Sequence, residues 1–533
     1  MLGLLYTDRT AMALRLLPLL LAAAAPALAD ARSNASQARA AIRLCHRLAC
    51  AWLEHADPVS GLLPRNLRGD WYWNAQDAAA DNFPFHLLTA FVTDQQHLKR
   101  SFLAMLEAER RLTPRLDRLP DDFLFDRQGF RDGPHRLDAV IFGASEYAKD
   151  GLTPITDWLG PGPWLDRLQE LVRDIWKHAP AESPVGRLPS NNIEVNGNLL
   201  QVSSRLYWIT REEDYRQWAF RLADHYFLHE NILEAPRLQL DDHACEIIGG
   251  LSEAYVVAAR TDPARHVRWR PAMHAILDRI LQYARNEDGL LYHTIHPRDG
   301  RLLRDELTDN WGYTYNAFLT VAQLDGVARY REAVVKVLSN LPKYLNYPWE
   351  GGGADGYADS IEGAVNLLSR IASPEAHDWV DRSIELLFAK QGQDGLMEGW
   401  HGDGNSARTA LMYALMKTQG VRAAPWRTDL ELGAARVDEK TLRLYLRAEH
   451  PWRGTLRFDR PRHRDWLGMP LDYPRINQFP EWFTVEERGR YEVFPQYGEP
   501  VTVSGADLLA GYRLAIKAGE AVEITVTRRD MIP

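Results

Sequence analysis

Residues Trp349–Arg370 read WEGGGADGYADSIEGAVNLLSR, a glycine-rich loop that leads into the first turns of a helix. From Ala358 onward the apolar residues recur at helical spacing, while Asp359, Glu362 and Asn366 fall on a second, polar face. We therefore expect a helix that packs against the protein on one side and meets a polar space on the other.

Two further segments, Asp241–Glu253 and Asp309–Thr320, have the same construction, with acids and aromatics at the start of a predicted helix. An acid in the first turn can cap free amides and complement the helix dipole for about 0.5–2 kcal/mol without any catalytic role. That structural interpretation stays open for each acid taken alone. The candidate site residues in these two segments are Asp241, Asp242, Asp309, Trp311 and Tyr313.

Predicted helices fill most of residues 38–418 and come in pairs joined by short links. Three of the longer breaks share a glycine followed by apolar residues, at Gly61, Gly289 and Gly395. Helix pairs that cannot bury their apolar faces alone must stack or close on one another. We expect a mainly α fold in which about six helical hairpins close into an (α/α) toroid with the longer loops at one mouth.

The hydrophobic period changes after Pro425, where short stretches alternate apolar and polar residues, as in Val522, Ile524 and Val526. Such alternation is typical of strands with one buried face. We predict a toroid domain over residues 30–425 and a small antiparallel β-sandwich over residues 426–533.

The N-terminal segment Met12–Asp30 combines one arginine, an apolar run and a small-residue pattern that ends at Ala29. This is typical of a secretory signal peptide over residues 1–29, with the start at Met1 or Met12 left open. The alternative is an uncleaved anchor. We expect export to the periplasm or the medium, with no membrane span left after cleavage.

The composition argues against a nucleic-acid partner and gives no sign of a disulfide framework. With 72 acidic and 63 basic residues, the formal net charge is -9, and the basic residues form no block that could track phosphates, so no nucleic-acid partner is expected. The three cysteines, Cys45, Cys50 and Cys245, are too few for a disulfide scaffold and are interpreted as packing residues. The sequence does not indicate an oligomeric state.

Other loops add aromatic and amide side chains before predicted helices. Aromatic rings can stack on sugar faces, and amides can bind hydroxyl groups, although asparagine is also a common turn and cap residue. A loop histidine such as His401 can act as an acid or base near neutral pH. The remaining candidates are the acid Asp81 and the substrate contacts Trp71, Trp73, Asn82, Asn191, Asn192, Tyr357, Trp400 and His401.

Glycoside hydrolysis needs one carboxyl group that protonates the leaving oxygen and a second that activates water or attacks directly. This chain supplies acids, aromatics and amides repeatedly at the predicted mouth. It has no GxxxxGK[ST] loop, HExxH helix or GxSxG elbow. No cofactor or metal is implied, although calcium held by loop carboxylates stays open without an EF-hand spacing.

The pattern resembles the six-hairpin glycosidase superfamily, whose (α/α) toroids are often followed by a β-sandwich. The segments LDDHACEIIGGL, DNWGYTYNAFL and YADSIEGAVNLL and the three glycine turns carry this resemblance. In unsaturated glucuronyl hydrolases and related members, key acids lie at comparable helix starts, and Asp242 and Asp359 are the nearest matches here. The resemblance implies a carbohydrate-active enzyme.

We predict an exported glycoside hydrolase with Asp242 and Asp359 as the acid and base pair and with Glu362, Asp309 and Asp81 as substitutes. A polysaccharide lyase of the heparinase or alginate-lyase type, acting on an acidic glycan, is the first alternative. The Asn-Asn-His motif of that branch is broken here, because Ile193 follows Asn192. The second alternative is a secreted glycan-binding protein without catalysis.

Overall fold

The computed structural model describes residues 30–69, 71–241, 245–496 and 498–529. The predicted signal segment 1–29 and the predicted catalytic residue Asp242 lie outside the described residues. The described residues form a helical ring followed by two antiparallel sheets, so the predicted mainly α fold class is confirmed.

Helices dominate the first part of the chain. In chain order they are α1 (Ala31–Glu54), α2 (Phe83–Val92), α3 (Gln96–Leu112), α4 (Leu137–Glu146), α5 (Thr153–Leu159), α6 (Pro163–Lys177), α7 (Ile193–Thr210), α8 (Glu213–Asp224), α9 (Glu246–Thr261), α10 (Pro263–Tyr283), α11 (Trp311–Asp325), α12 (Ala328–Asn340), α13 (Ala354–Leu368), α14 (Pro374–Phe388) and α15 (Gly402–Lys417). A π-helical turn, Ala75–Asn82, leads into α2, and another, Tyr147–Leu152, joins α4 to α5.

Burial separates these helices into an inner and an outer set. The inner helices α2, α4 with α5, α7, α9, α11, α13 and α15 are buried on nearly every side, whereas α1, α3, α6, α8, α10, α12 and α14 bury one face. Each inner helix contacts the next, and α15 contacts α2 to close the ring. Each inner helix except α15 is joined to the outer helix that follows it, which makes six hairpins among the described residues, and α15 packs against α1. The expected number of about six hairpins is confirmed.

The lengths of the connections place the mouth of the ring. Short links such as residues 211–212, 262 and 326–327 join each inner helix to the outer helix that follows, while long loops such as residues 284–310 precede the inner helices. Inner helices therefore run parallel, and their N-terminal ends gather at one side. Short strands lie in these loops: β1 (Tyr72–Trp73), β2 (Pro114–Leu116), β3 (Leu119–Pro120), β4 (Phe123–Leu124), β5 (Gly129–Phe130), β6 (Leu238–Gln239), β7 (Tyr292–Ile295) and β8 (Leu302–Leu307).

The C-terminal part is a β-sandwich with its own apolar core. Its elements are β9 (Arg422–Ala424), β10 (Leu430–Arg436), β11 (Thr441–Ala448), β12 (Trp452–Arg457), α16 (Arg462–Asp465), β13 (Arg490–Pro495), β14 (Val501–Ser504), α17 (Gly505–Ala510), β15 (Tyr512–Ile516) and β16 (Ala521–Arg529). One sheet has the order β15-β12-β9 and the other β10-β11-β16-β13-β14. The predicted boundary at Pro425 stays a prediction, and β9 lies just before it.

Between β12 and β13 the sandwich sends residues 467–483 into the ring, and we call this segment the axial loop. Gly468 accepts a hydrogen bond from Arg211 at the C-terminal end of α7. Farther along the loop, Tyr473 donates to Glu253 on α9 at 3.1 Å, and the backbone N–H of Asn477 donates to Glu362 on α13 at 2.7 Å. The loop therefore enters opposite the mouth and fills the ring interior.

Two sequence-level expectations can be compared with the described residues. All three cysteines are free, with Cys45 and Cys245 buried and Cys50 half-buried. Among the described residues, the helices are all too short or too polar to cross a bilayer.

Candidate active site

A cavity of about 160 Å³ lies at the N-terminal ends of the inner helices. This volume is below the roughly 300–1,000 Å³ of pockets for drug-sized ligands, so the cavity suits one small polar group such as a single sugar ring. Its lining consists of Asp77, Asp81, Lys149, Asp150, Glu246, Tyr313, Glu350, Asp355, Asp359, Trp400, His401, Asn405, Arg408, Ile476 and Asn477.

The two π-helical turns each bring a pair of polar residues to this cavity. Asp77 and Asp81 belong to the turn before α2, and Lys149 and Asp150 belong to the turn between α4 and α5. A π turn interrupts the regular α-helical register and is found frequently at functional sites. Gly404 on α15 lies against the backbone of Asp81, where a Cβ atom would overlap its carbonyl oxygen, so the first turn and α15 can approach only with glycine there.

One wall of the cavity is an acidic cluster with a histidine. Asp77, Asp81 and His401 can each offer a ligand atom within 4.8 Å of the others. Asp77 is already held by Arg65 and by the Asn74 amide at 2.6 Å, and its second oxygen lies 3.6 Å from the His401 imidazole. These three side chains are the lining residues that could hold a cation, and the same arrangement can transfer a proton through the histidine.

The second wall is an ion pair between α13 and α15. The Arg408 guanidinium binds Asp359 and lies 3.0 Å from Glu362. Asp359 also accepts a hydrogen bond from the Asn310 amide at 2.9 Å. Burial disfavours a charged arginine, but the two carboxylates outweigh it and raise the pKa of Arg408 well above its usual range. Asp359 therefore faces the cavity as a fixed carboxylate.

Glu362 lies behind this wall rather than on it. Its side chain is fully buried and accepts hydrogen bonds from the Tyr313 hydroxyl at 2.5 Å and from the Asn477 backbone at 2.7 Å. Burial raises the pKa of Glu362, and the adjacent Arg408 opposes that rise. Its oxygens are occupied, so the prediction that Glu362 substitutes as a catalytic acid does not fit its position; it positions Arg408 and Tyr313.

The floor of the cavity contains a second buried ion pair. Lys149 lies 2.7 Å from Asp150 and also binds Glu246, the first residue of α9. Burial disfavours the charged lysine, but the neighbouring acids outweigh it and raise the pKa of Lys149 well above its usual range. Burial likewise raises the pKa of Glu246, against the charge of Lys149.

Asn477, at the tip of the axial loop, connects the second wall to the floor. Its amide donates to Asp150, and its side-chain oxygen accepts from Arg408 at 2.9 Å. Its backbone adopts φ 58°, a left-handed conformation that asparagine tolerates better than most residues. The cavity is thus built by the two π-helical turns and the helices α9, α11, α13 and α15, together with Ile476 and Asn477 of the axial loop.

Five of the predicted site residues meet around this cavity although they are distant in sequence. They are Asp81, Tyr313, Asp359, Trp400 and His401. Asp309 precedes the helix start and is absent from the lining, and its neighbour Asn310 makes the contact to Asp359 instead.

Other predicted contacts have structural partners away from the cavity. Trp311 is fully buried and donates to Ser360 at 2.9 Å, which joins α11 to α13. Asp241 pairs with His293 at 2.9 Å. The Lys390 ammonium lies over the Tyr357 ring, 5.3 Å from the ring centroid.

The asparagines before α2 and α7 serve local structure. Asn82 is fully buried and bonds His86 at 2.8 Å. Asn192 accepts from the backbone N–H of Glu194 at 2.9 Å and so caps α7, while the neighbouring Asn191 is exposed. The substrate contacts predicted for these three asparagines are therefore absent from this cavity.

The two tryptophans of β1 and its preceding loop have opposite surroundings. Trp73 is 2% exposed and belongs to the ring core, so it cannot stack on a sugar. Trp71 is exposed and lines a separate surface groove.

Sequence reasoning missed ten of the fifteen lining residues. Lys149 is the last residue of the predicted helix His135–Lys149 and Asp150 follows it, while Arg408 and Asn477 meet the site only through long-range packing. The adjacent Lys149 and Asp150, with the apolar Ala148 and Leu152 on either side, were a local signal of a buried ion pair, because buried charges need partners.

Seven carboxylates but only two permanent cations line the cavity, and both cations are already paired with acids. A cleft lined by one sign of charge attracts ligands of the opposite charge and repels ligands of the same charge. The arrangement can donate and accept protons and can bind hydroxyl groups, and it disfavours an anionic ligand.

No family model and no curated protein sequence matches this chain. Solved structures of six-hairpin glycosidases do match it, and the similarity is one of fold alone. The unsaturated glucuronyl hydrolase of Bacillus sp. GL1 covers 70% of this chain and 96% of its own at 13% identity, with a TM-score of 0.39. An alpha-1,6-mannanase from Salegentibacter sp. HEL1_6 covers 70% and 98% at 11% identity, with a TM-score of 0.39. The mannosidase Bt3792 from Bacteroides thetaiotaomicron covers 70% and 98% at 11% identity, with a TM-score of 0.38.

Proposed function

We propose that this protein is a glycoside hydrolase that cleaves a neutral sugar by carboxylate acid and base catalysis. The observation that carries the proposal is that Asp81 and Asp359 both line the polar cavity at the N-terminal ends of the inner helices. Asp81 belongs to the π-helical turn before α2 and Asp359 belongs to α13, and α15 lies between these two segments and contacts both. Trp400 in the lining offers an aromatic face for a sugar ring.

The surroundings of the two acids support different roles. Asp359 is held as a carboxylate by Arg408 and Asn310, which suits a group that activates water or attacks the sugar. Asp81 lies in the cluster with Asp77 and His401, where a proton can be held and passed on. We therefore assign Asp81 as the proton donor, in place of Asp242 from the sequence-based pair.

Elimination from an acidic glycan is supported less well by the same cavity. A uronate would face the seven carboxylates, while Lys149 and Arg408 are already paired. Because the Asn-Asn-His motif is broken, a lyase would need its base from Tyr207, Tyr313 or His401. Tyr313 donates to Glu362, and burial raises the pKa of Tyr313 well above its usual range. His401 lines the cavity beside Asp77, in the same acidic cluster. Tyr207 lies on the C-terminal half of α7, away from the cavity lining.

The test is a panel of neutral and uronate-containing glycans assayed for new reducing ends and for the ultraviolet absorbance of unsaturated products. We expect reducing ends without absorbance. Asp81→Asn and Asp359→Asn should each lower kcat by about 10²- to 10⁴-fold, with the thermal unfolding transition retained. The matched control is Asp378→Asn, on the exposed face of α14, which should keep full activity.

Three results would count against this assignment. Absorbing products from uronates would indicate a lyase, and full activity in both aspartate variants would remove their catalytic roles. Glycan binding without turnover, unaffected by either change, would indicate a binding protein.

We also propose that the protein acts after export, on the basis of the segment Met12–Asp30. Expression of the full chain in a secreting bacterial host, followed by N-terminal sequencing of the exported protein, should give a mature start at Asp30. Full-length protein retained in the cytoplasm would contradict export.

A further inference from the structure

Trp71 is exposed without an evident structural need. Its side chain is 44% exposed, and it is the only aromatic residue in the exposed class among the residues that the structure describes. Large aromatic side chains are usually buried, and tryptophan is enriched at binding interfaces because it combines a large apolar face with a polar N–H group.

The exposed ring lines a groove of about 520 Å³ on the rim of the mouth. The groove combines the aromatic face with groups that can hydrogen-bond to hydroxyls, which is the combination that recognises sugars. Its lining is Glu54, His55, Ala56, Pro58, Asn66, Leu67, Gly69 and Trp71.

The ring is held in place before any ligand arrives. Trp71 packs edge to face on Phe125, with 5.1 Å between ring centroids, and its carbonyl accepts the Phe125 N–H at 3.4 Å. A rigid aromatic loses little conformational freedom on binding, so its contact area translates more fully into affinity.

The loop that contains Asn66 joins the groove to the lining of the candidate active site. Asn66 lines the groove and pairs as an isolated β-bridge with Trp400, which lines the cavity. The next residue, Leu67, donates its N–H to the carbonyl of Gly399 at 2.9 Å. One residue earlier, Arg65 binds Asp77 in the cavity wall. A ligand that leaves the cavity past Trp400 therefore reaches Asn66 and then the face of Trp71.

We propose that the Trp71 groove is a second sugar-binding subsite, which holds the part of a glycan chain that extends beyond the cavity. The inference rests on the proposed function and adds a substrate class, neutral oligosaccharides or polysaccharides longer than the cavity of about 160 Å³ can hold. No chemistry occurs at this subsite, which contributes affinity and orientation.

The test measures binding by isothermal titration calorimetry with glucose-, mannose- and galactose-based oligosaccharides of increasing length, in the Asp359→Asn background so that ligands stay intact. Affinity should rise with chain length. Trp71→Ala should remove that rise and weaken binding of the longer ligands by about tenfold, with the shortest ligand unaffected. Trp71→Phe should keep most of the gain because a ring is retained.

The control for loss of an exposed apolar side chain is Val267→Ala, at a residue 61% exposed on the outer helix α10; it should bind like the parent. Equal binding of long chains by Trp71→Ala would overturn the subsite. So would a dimer that dissociates when Trp71 is changed, because a second copy would then cover the ring. Length-dependent binding through Trp71 in a protein that hydrolyses no glycan would retain the subsite and reject the hydrolase, and no binding of any ligand would reject both.

Discussion

Asn477 provides the sharpest test of how the two domains build one cavity. Its side chain bonds Asp150 and Arg408, its backbone N–H bonds Glu362, and its φ is 58°. Asn477→Gly removes the side-chain contacts but permits the backbone conformation. Asn477→Ala removes the same contacts but keeps a Cβ in the left-handed region, without the short polar side chain that lets asparagine tolerate it.

The magnitudes follow from these contacts. Each variant loses two hydrogen bonds to charged groups, worth about 1.5–3 kcal/mol each. In both variants Asp150 stays paired with Lys149, and Arg408 stays paired with Asp359. Water in the cavity can replace part of the lost hydrogen bonding. We therefore expect Asn477→Gly to lower the free energy of unfolding by about 2 kcal/mol. Alanine adds about 1–2 kcal/mol for the left-handed backbone, reduced by the lower entropy of its unfolded chain. A net gap of about 1 kcal/mol should remain, with the order wild type, glycine, alanine.

The assay compares thermal unfolding and steady-state kinetics of both variants with the neighbouring change Gln478→Ala. Gln478 donates to Asp472 at 3.1 Å and accepts from Arg370 at 3.2 Å, away from the cavity. Gln478→Ala should lower stability but keep kcat, whereas Asn477→Gly should lower kcat by about tenfold or more through a misplaced Arg408. Two results would refute the reasoning. One is an Asn477→Ala variant at least as stable as Asn477→Gly, and the other is a loss of kcat in Gln478→Ala equal to that in Asn477→Gly.

Three further predictions concern stability and can be checked by thermal unfolding. Asp403 accepts the Trp52 indole N–H at 3.0 Å and three backbone N–H groups, so Asp403→Asn should cost about 2–3 kcal/mol; an unchanged transition would contradict this. Burial raises the pKa of Asp122 from 3.8 to about 6, so its folded state holds the proton more tightly and stability falls as pH rises from about 4 to 6. Asp122→Asn should therefore raise Tm relative to wild type at pH 8 but not at pH 4, and an equal change at both would reject it. Burial lowers the pKa of His463, but the Glu481 carboxylate at 2.9 Å outweighs it and the net shift from 6.5 is upward. That stabilisation should be complete below about pH 6.5 and lost as pH rises through the raised pKa, and His463→Asn should abolish this dependence.

The sequence was most informative where a local pattern has a local cause. The helical period of residues 354–368 and the alternation in residues 521–529 both survive in the structure as α13 and β16, because burial of one face imposes each period directly. The π-helical turn Tyr147–Leu152 was harder to predict, since Gly151 within it and Pro154 just after it indicate the end of a helix rather than its continuation into α5.

The sequence located site residues correctly only where a side chain suited to catalysis or binding stood close to a predicted helix start. Asp359 and His401 stand at helix starts that open on the mouth, so helix periodicity and loop length predicted their location. Trp311 shares that position along its helix but points between helices, bonding Ser360. Rotation of a helix about its axis depends on packing with its neighbours, which one sequence does not encode locally.

The polar face of α13 shows why such a pattern does not by itself identify a cavity. Asp359, Glu362 and Asn366 share one face, yet only Asp359 reaches the cavity. Glu362 and Asn366 are buried, because Arg408 and the axial loop meet them inside the ring. A buried carboxylate is tolerated when a cation and N–H donors replace water, and here those donors come from another helix and another domain. The polar surface left uncovered by the loop tip at Asn477 is the cavity, so the position of that tip sets the depth of the cavity within the ring.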